Sequence, residues 1–202
     1  MQFVAVNGTV RTDLGKKGTK AVRNEGKIPC VLYDLNQVVH FSADFNEIKK
    51  LIYTPDFKLA EINVDGKTYK CILKDYQMHP VTDTITHIDF LNLVDGQAIK
   101  VEVPVRFKGS SPGVKVGGKL QQTMRRVKIK TTPEHLVDQL TLDVSSLQLG
   151  QSIRVRDIEA LEGIEVMSAP GTPVAIVEVP RSLRSATAAA AKEGDAAAAP
   201  VE

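Results

Sequence analysis

The chain has 202 residues, 43% of them hydrophobic and 25% charged, with no tryptophan and a formal net charge of +2. This is the make-up of an ordinary globular protein with room for one large or two small cores. A total near neutrality does not by itself point to a nucleic-acid partner, and without roughly eighteen apolar residues in a row or a basic start to MQFVAVNGTV, neither a spanning helix nor a signal peptide is expected. A cytoplasmic protein with no membrane partner is the expectation.

QFVAVNGTV (2–10) reads as a strand. Lys17–Glu25 reads as a short helix, with Ala21 and Val22 as its apolar spot and Gly26 where a helix end favours a left-handed residue. IPCVLY (28–33) is a buried strand whose Pro29 suits a first turn or an edge, and QVVHFSA (37–43) is another. Asp44 is placed to cap a helix over Phe45–Tyr53, where Phe45, Ile48, Leu51 and Ile52 recur at helical spacing. FKLAEINV and KTYKCILK are joined by Asp65-Gly66, a pair that supplies the positive φ of a tight hairpin turn. ITHIDFLNL closes this half near residue 94, and VDGQAI (94–99) marks a turn and a boundary.

Beyond the boundary, IKVEVPVRFKG, RRVKIKT, LTLDVSSL, SIRVRDI and VAIVEVP are strand-like. A Gly/Ser/Pro loop runs from Gly109 to Gly118, and short turns fall at 133–136 and 145–147. The Ala-rich end has no apolar periodicity to bury and reads as disordered. The fold class expected is mainly β: a small N-terminal β-barrel or half-barrel with two short helices (1–94), a β-rich C-terminal domain (95–181) and a disordered tail (182–202). Cys30 and Cys71 sit in apolar segments and read as two buried, reduced thiols, with a disulfide or metal pair as the alternative.

The charge is segregated along the chain. Between Val10 and Cys30 lie six basic residues against Asp13 and Glu25, and between Val105 and Pro133 lie eight (Arg106, Lys108, Lys115, Lys119, Arg125, Arg126, Lys128, Lys130) against no acid. The first run, DLGKKGTKAVRNEGKIP (13–29), packs Lys16, Lys17, Lys20, Arg23 and Lys27 around three glycines, which suits a phosphate. The phosphate loop of nucleotide hydrolases requires four residues between its first Gly and Gly-Lys, then Ser or Thr. Gly15-Lys16 is followed by Lys17 and no glycine precedes it at that distance, and the dinucleotide fingerprint fails too. A solvated charged face remains one reading. A polyanion surface is the other, favoured by six cations beside flexible glycines between two strands.

DYQMHPVTDTITHIDF (75–90) is the second constellation. His87 and Asp89 alternate on one strand face and project together. Three readings stand for it: a zinc site with His79, a His–Asp pair satisfying itself at the sheet surface, or polar recognition in which His87, Asp89 and Gln77 bond base edges or ribose hydroxyls. Tyr33, at its strand end, is placed to stack on a base or fill the barrel mouth. No nucleophile stands beside a base and no close carboxylate pair stands out, so no catalytic residue, cofactor or small-molecule substrate is expected.

VRTDLGKKGTKAVRNEGKIPCVLY, followed further on by DYQMHPVTDTITHIDFL, resembles the bacterial 5S rRNA-binding family formed by the twenty-fifth protein of the large ribosomal subunit, in the long two-domain form known as the Ctc general stress protein type. VEVPVRFKG, GVKVGGKL and LDVSSLQLGQSIRVRDI are similar to that form's second domain, less specifically. The resemblance implies a barrel docked on an irregular, non-Watson–Crick part of 5S rRNA, largely through its minor groove. By motif position Arg11, Lys16, Lys20 and Arg23 would contact phosphates or groove edges, with Lys17 in the same run. Thr19 stands where the family places a small or hydroxyl residue. Tyr33, Gln77, His87 and Asp89 would make the more specific hydrogen bonds, and Asp89, an acceptor-only group, would take an amino or 2′-hydroxyl donor or orient His87.

Asp34 departs from the family's usual Gly and puts a negative charge near that face; Lys17-Gly18 adds loop flexibility. The second basic run has no assignable motif, and its readings are a solvated surface or contact with neighbouring rRNA or ribosomal proteins. Two alternatives to a standing ribosomal constituent are a stress-induced protein that binds ribosomes conditionally and a tRNA or anticodon module, since a related barrel occurs in glutaminyl-tRNA synthetases. No adjoining nucleotide-binding domain supports the latter.

Overall fold

A computed structural model describes residues 2–34, 37–158 and 163–180. The fold is mainly β, and the described residues divide into two compact units. The first takes in residues up to 104 together with 128–139 and 163–165; the second takes in 105–127, 140–158 and 166–180. The Ala-rich tail expected at 182–202 lies outside the described residues.

The first unit holds β1 (Phe3–Val10), α1 (Lys16–Asn24), β2 (Lys27–Tyr33), β3 (Val38–Asp44), α2 (Phe45–Ile52), β4 (Leu59–Val64), β5 (Lys67–Met78) and β6 (Ile85–Asn92). Its six strands close into a barrel in the order β1-β3-β2-β6-β5-β4, which leaves no strand at an edge over the paired length. The β4–β5 hairpin forms at Asp65-Gly66, both at positive φ as its turn requires. Gly26 is likewise left-handed, just past the end of α1. Pro29 lies in a central strand, one residue before β2 begins to pair with β6 at Cys30, and so outside that ladder. Asp44 does precede α2, but its side chain makes no capping hydrogen bond.

Alternate residues of the strands fill the barrel: Val6, Ile28, Cys30, Leu32, Phe41, Ile62, Cys71, Ile88 and Phe90 are buried, and Ile48 and Leu51 of α2 join them. Phe41 packs on Phe90 with ring centroids 5.9 Å apart. Gly8 faces the Phe41 ring and Val64; a Cβ there would stand 2.5 Å from the Phe41 ring, so the close crossing of β1 and β3 needs a glycine. Cys30 and Cys71 are free and buried, which excludes a disulfide between them.

Later come β7 (Ile99–Lys108), α3 (Pro112–Lys115), β8 (Lys119–Gln122), β9 (Arg126–Thr131), β10 (Leu140–Asp143), β11 (Ser152–Arg154), β12 (Ile164–Val166) and β13 (Pro173–Glu178). They form a four-stranded sheet in the order β10-β7-β9-β12 and a three-stranded sheet in the order β11-β13-β8. Several details depart from the sequence expectation. One helical turn, α3, sits inside the loop expected from Gly109 to Gly118, and KLQQ and IEV are strands of four and three residues, too short for their patterns to mark them; KLQQ is held by pairing with β13. SIRVRDI is a strand only to Arg154 before a 3-10 turn, and LTLDVSSL only to Asp143.

Candidate nucleic-acid interface

The barrel wall built by β3, β2, β6 and β5 has an outer face set by register. Cys30 and Leu32 point inward, so Val31 and Tyr33 point out. Val31 lies beside His40 of β3 on one side and Asp89 of β6 on the other, and Asp89 lies opposite Asp75 of β5. Arg11, just after β1, donates its backbone N–H to His40 O at 2.9 Å and extends the antiparallel β1–β3 register by one pair. One lateral row therefore runs Arg11, His40, Val31, Asp89, Asp75. A second row includes His87 and, opposite it, Gln77.

A β-bulge decides which β5 residues reach this face. Leu73 opposes Phe90 but Asp75, not Lys74, opposes Asp89, so one extra residue is inserted and the outward parity changes. Without it Lys74 and Tyr76 would face Asp89 and His87. With it Asp75 and Gln77 do.

His87 Nδ1 lies 2.7 Å from Asp89 Oδ1. Oδ1 is thus held against the imidazole and shielded from solvent. The Nε of Arg11 is buried and unpartnered. Burial pushes the Tyr33 phenol above its ordinary range, and the charges of Asp89 and then Asp75 push it the same way. Asp34 points elsewhere: it accepts a hydrogen bond from Asn92 Nδ2 at 3.1 Å, and Asn92 has the inward parity of β6.

α1 lies against β2 with no buried residue of its own. Its first turn carries Lys16 and Lys17 and no acid, so cations stand at the positive end of the helix dipole. Lys16, Lys17 and Lys20 are exposed. Arg23 and Thr19 are engaged within the protein. Arg23 donates from Nε and Nη2 to Thr86 O at 3.1 and 2.8 Å, tying α1 to β6. Thr19 Oγ1 donates to Gly15 O at 2.7 Å and receives Arg11 Nη2 at 3.4 Å. Gly18 does not add flexibility: a Cβ would stand 2.5 Å from Asp13 O, so the glycine permits a close backbone approach.

The ten residues singled out from sequence thus fall into a set on the outer face of the barrel strands, with Arg11 and Asp89 in one row, His87 and Gln77 in another and Tyr33 at the end of β2, and a helical set (Lys16, Lys17, Thr19, Lys20, Arg23). His40 and Asp75 share the first of these rows and were not singled out. Asp75 stood within the quoted motif, and nothing local marks His40. His79 is a turn residue whose Nδ1 accepts the N–H groups of Val81 and Thr82. Among the described residues no three His, Cys, Asp or Glu side chains gather as a metal set.

Part of the second basic run lies beside acids from elsewhere in the chain. Lys128 lies 3.5 Å from Glu102 and Lys130 3.2 Å from Glu165. Lys108 pairs across the sheet with Asp143, and Lys119 with Glu178.

The Ribosomal L25p family model matches residues 6–90, and the model of ribosomal protein TL5, C-terminal domain, matches residues 98–181. The large ribosomal subunit protein bL25 of Phocaeicola vulgatus is 39% identical over 199 residues, covering 95% of this chain and 100% of that protein. The chain belongs to the bL25 family. The bL25 of Cytophaga hutchinsonii is 39% identical over 193 residues, covering 96% of this chain and 100% of that protein. That of Porphyromonas gingivalis is 42% identical over 188 residues, covering 92% and 97%. All ten candidate residues fall inside the first match, and the bL25 family is one of structural ribosomal proteins not known to be enzymatic.

Proposed function

We propose that this bL25-family protein is a structural constituent of the large ribosomal subunit in the cytoplasm and binds 5S rRNA through the outer wall of its barrel and α1. The binding function is assigned to residues 1–94, with 95–181 as a second β-rich domain. The observation that carries the reading is the lateral row from Arg11 through His40 and Val31 to Asp89, with His87 and Gln77 in the next row and the exposed lysines of α1 on the neighbouring helix. Regular A-form RNA hides its base edges in a narrow major groove, so a protein that discriminates must meet a distorted, open minor groove. There 2′-hydroxyls and base amino groups supply donors for Asp89 and acceptors for Arg11, while Lys16, Lys17 and Lys20 neutralise phosphates. The C-terminal half, whose basic run is answered by acids only in part, is the part left to meet neighbouring rRNA or a ribosomal protein.

The test is a binding titration of the full chain with 5S rRNA and with tRNA at physiological salt. Clear preference for 5S rRNA is expected; equal affinity for the two would overturn the proposal.

A further inference from the structure

We infer that His40 is a further RNA-contacting residue, placed between the two ends of the recognition row; the inference rests on the RNA-binding reading above. It follows from register. Arg11 and His40 are directly opposed across β1 and β3, so their side chains emerge on the same face, with Cβ atoms about 5 Å apart. His40 is next to Val31 on β2, and Val31 is next to Asp89 on β6. Phe41 and Ala43 fill the barrel, which leaves the even-numbered positions of β3 on the outer wall, where Val38 is 59% exposed and His40 half-buried.

An RNA surface that touches Arg11 at one end of the row and Asp89 at the other must cross His40 and Val31. Val31 offers only apolar contact. Of the two residues in between, the imidazole of His40 alone can donate or accept a hydrogen bond or stack on a base. Ser42, the next outward position on β3, is 6% exposed and its hydroxyl is shared with Thr9 Oγ1 at 2.8 Å. His40 is therefore the polar contact that β3 has to give.

The experiment is to replace His40 in the full chain by Ala, Glu and Lys and to titrate each variant with 5S rRNA over a salt series, with thermal melts as the fold control. His40→Ala should weaken binding about tenfold, as a lost polar base or sugar contact does. His40→Glu should weaken it further, and His40→Lys should steepen the salt dependence by about one charge. The lysine variant keeps the test decisive if the glutamate variant melts early, because a residue of purely structural importance would leave the salt slope unmoved. Affinities and slopes equal to wild type in the folded variants would remove His40 from the interface while the RNA-binding reading stands. Failure of the wild type itself to prefer 5S rRNA over tRNA would remove that reading instead.

Discussion

Asp89 and Lys16 sit on the same side of the protein and should fail in different ways. Lys16 is an exposed cation in the first turn of α1, and under the proposed function it would meet a phosphate through charge alone. Replacing it by Ala should weaken binding to any RNA and flatten the salt dependence by about one unit. Asp89 stands on the outer face of β6 with its carboxylate against His87 Nδ1 at 2.7 Å. Asp89→Asn keeps the shape but turns part of an acceptor-only group into a donor. The preference for 5S rRNA over tRNA should shrink by about 1–3 kcal/mol. A preference for 5S rRNA that does not shrink in the Asn variant would show Asp89 to be no reader of bases. His87 and Asp89 were legible from their alternation in HID, because a strand has period two. His40 was not, since its place opposite Arg11 is set by a β1–β3 register that no local pattern encodes.

At the scale of elements, α1 and β5 carry the lesson. α1 is nine residues long, buries none of them, starts at Gly15 without a side-chain cap, and places two lysines at the positive end of its dipole. A helix of that length is marginal alone in water, and each misplaced cation costs a few tenths of a kcal/mol up to about 1. What holds it is the Arg23 clasp on Thr86 O and the link from Arg11 to Thr19. In the free protein the amides of Lys20–Asn24 should therefore exchange with deuterium much faster than those of β2 and β6, and 5S rRNA should slow them by bringing phosphates to the lysines. Mass-resolved exchange with and without RNA measures this. An α1 as protected as the barrel strands before RNA is added would contradict the account. The helix was visible in the sequence through the apolar spot of Ala21 and Val22 and through Gly26 just past its end. The bulge in β5 was not: KCILKDYQM carries no mark of an extra residue, yet that residue is why Gln77 rather than Tyr76 stands opposite His87.

At the scale of the whole molecule, the mainly β class and the barrel were readable because apolar runs of strand length recur between turn residues, whereas KLQQ and IEV became strands only through their partners. The two thiols supply a test of how dry the barrel interior is. Cys30 and Cys71 are fully buried, and burial pushes both thiols up to about 12; for Cys30 the Arg11 charge pulls weakly the other way and Asp89 adds to the rise. In an unfolded chain a thiol titrates near about 8.5. Between those values the folded protein keeps protons that the unfolded chain has released, so raising the pH favours unfolding. The thiol contribution is complete below about 8.5 and falls by up to about 1.4 kcal/mol per thiol for each pH unit until about 12. By pH 10 the pair accounts for about 4 kcal/mol, a large part of a typical stability of about 5–15 kcal/mol. Lysines and tyrosines titrate in the same window, so the comparison has to be internal. Cys30→Ala/Cys71→Ala should be less stable than wild type at pH 7, because two buried sulfurs are lost, and should lose less of its stability between pH 8 and 10. Urea unfolding of both proteins across that range decides it: parallel pH profiles would mean that the thiols meet water in the folded barrel.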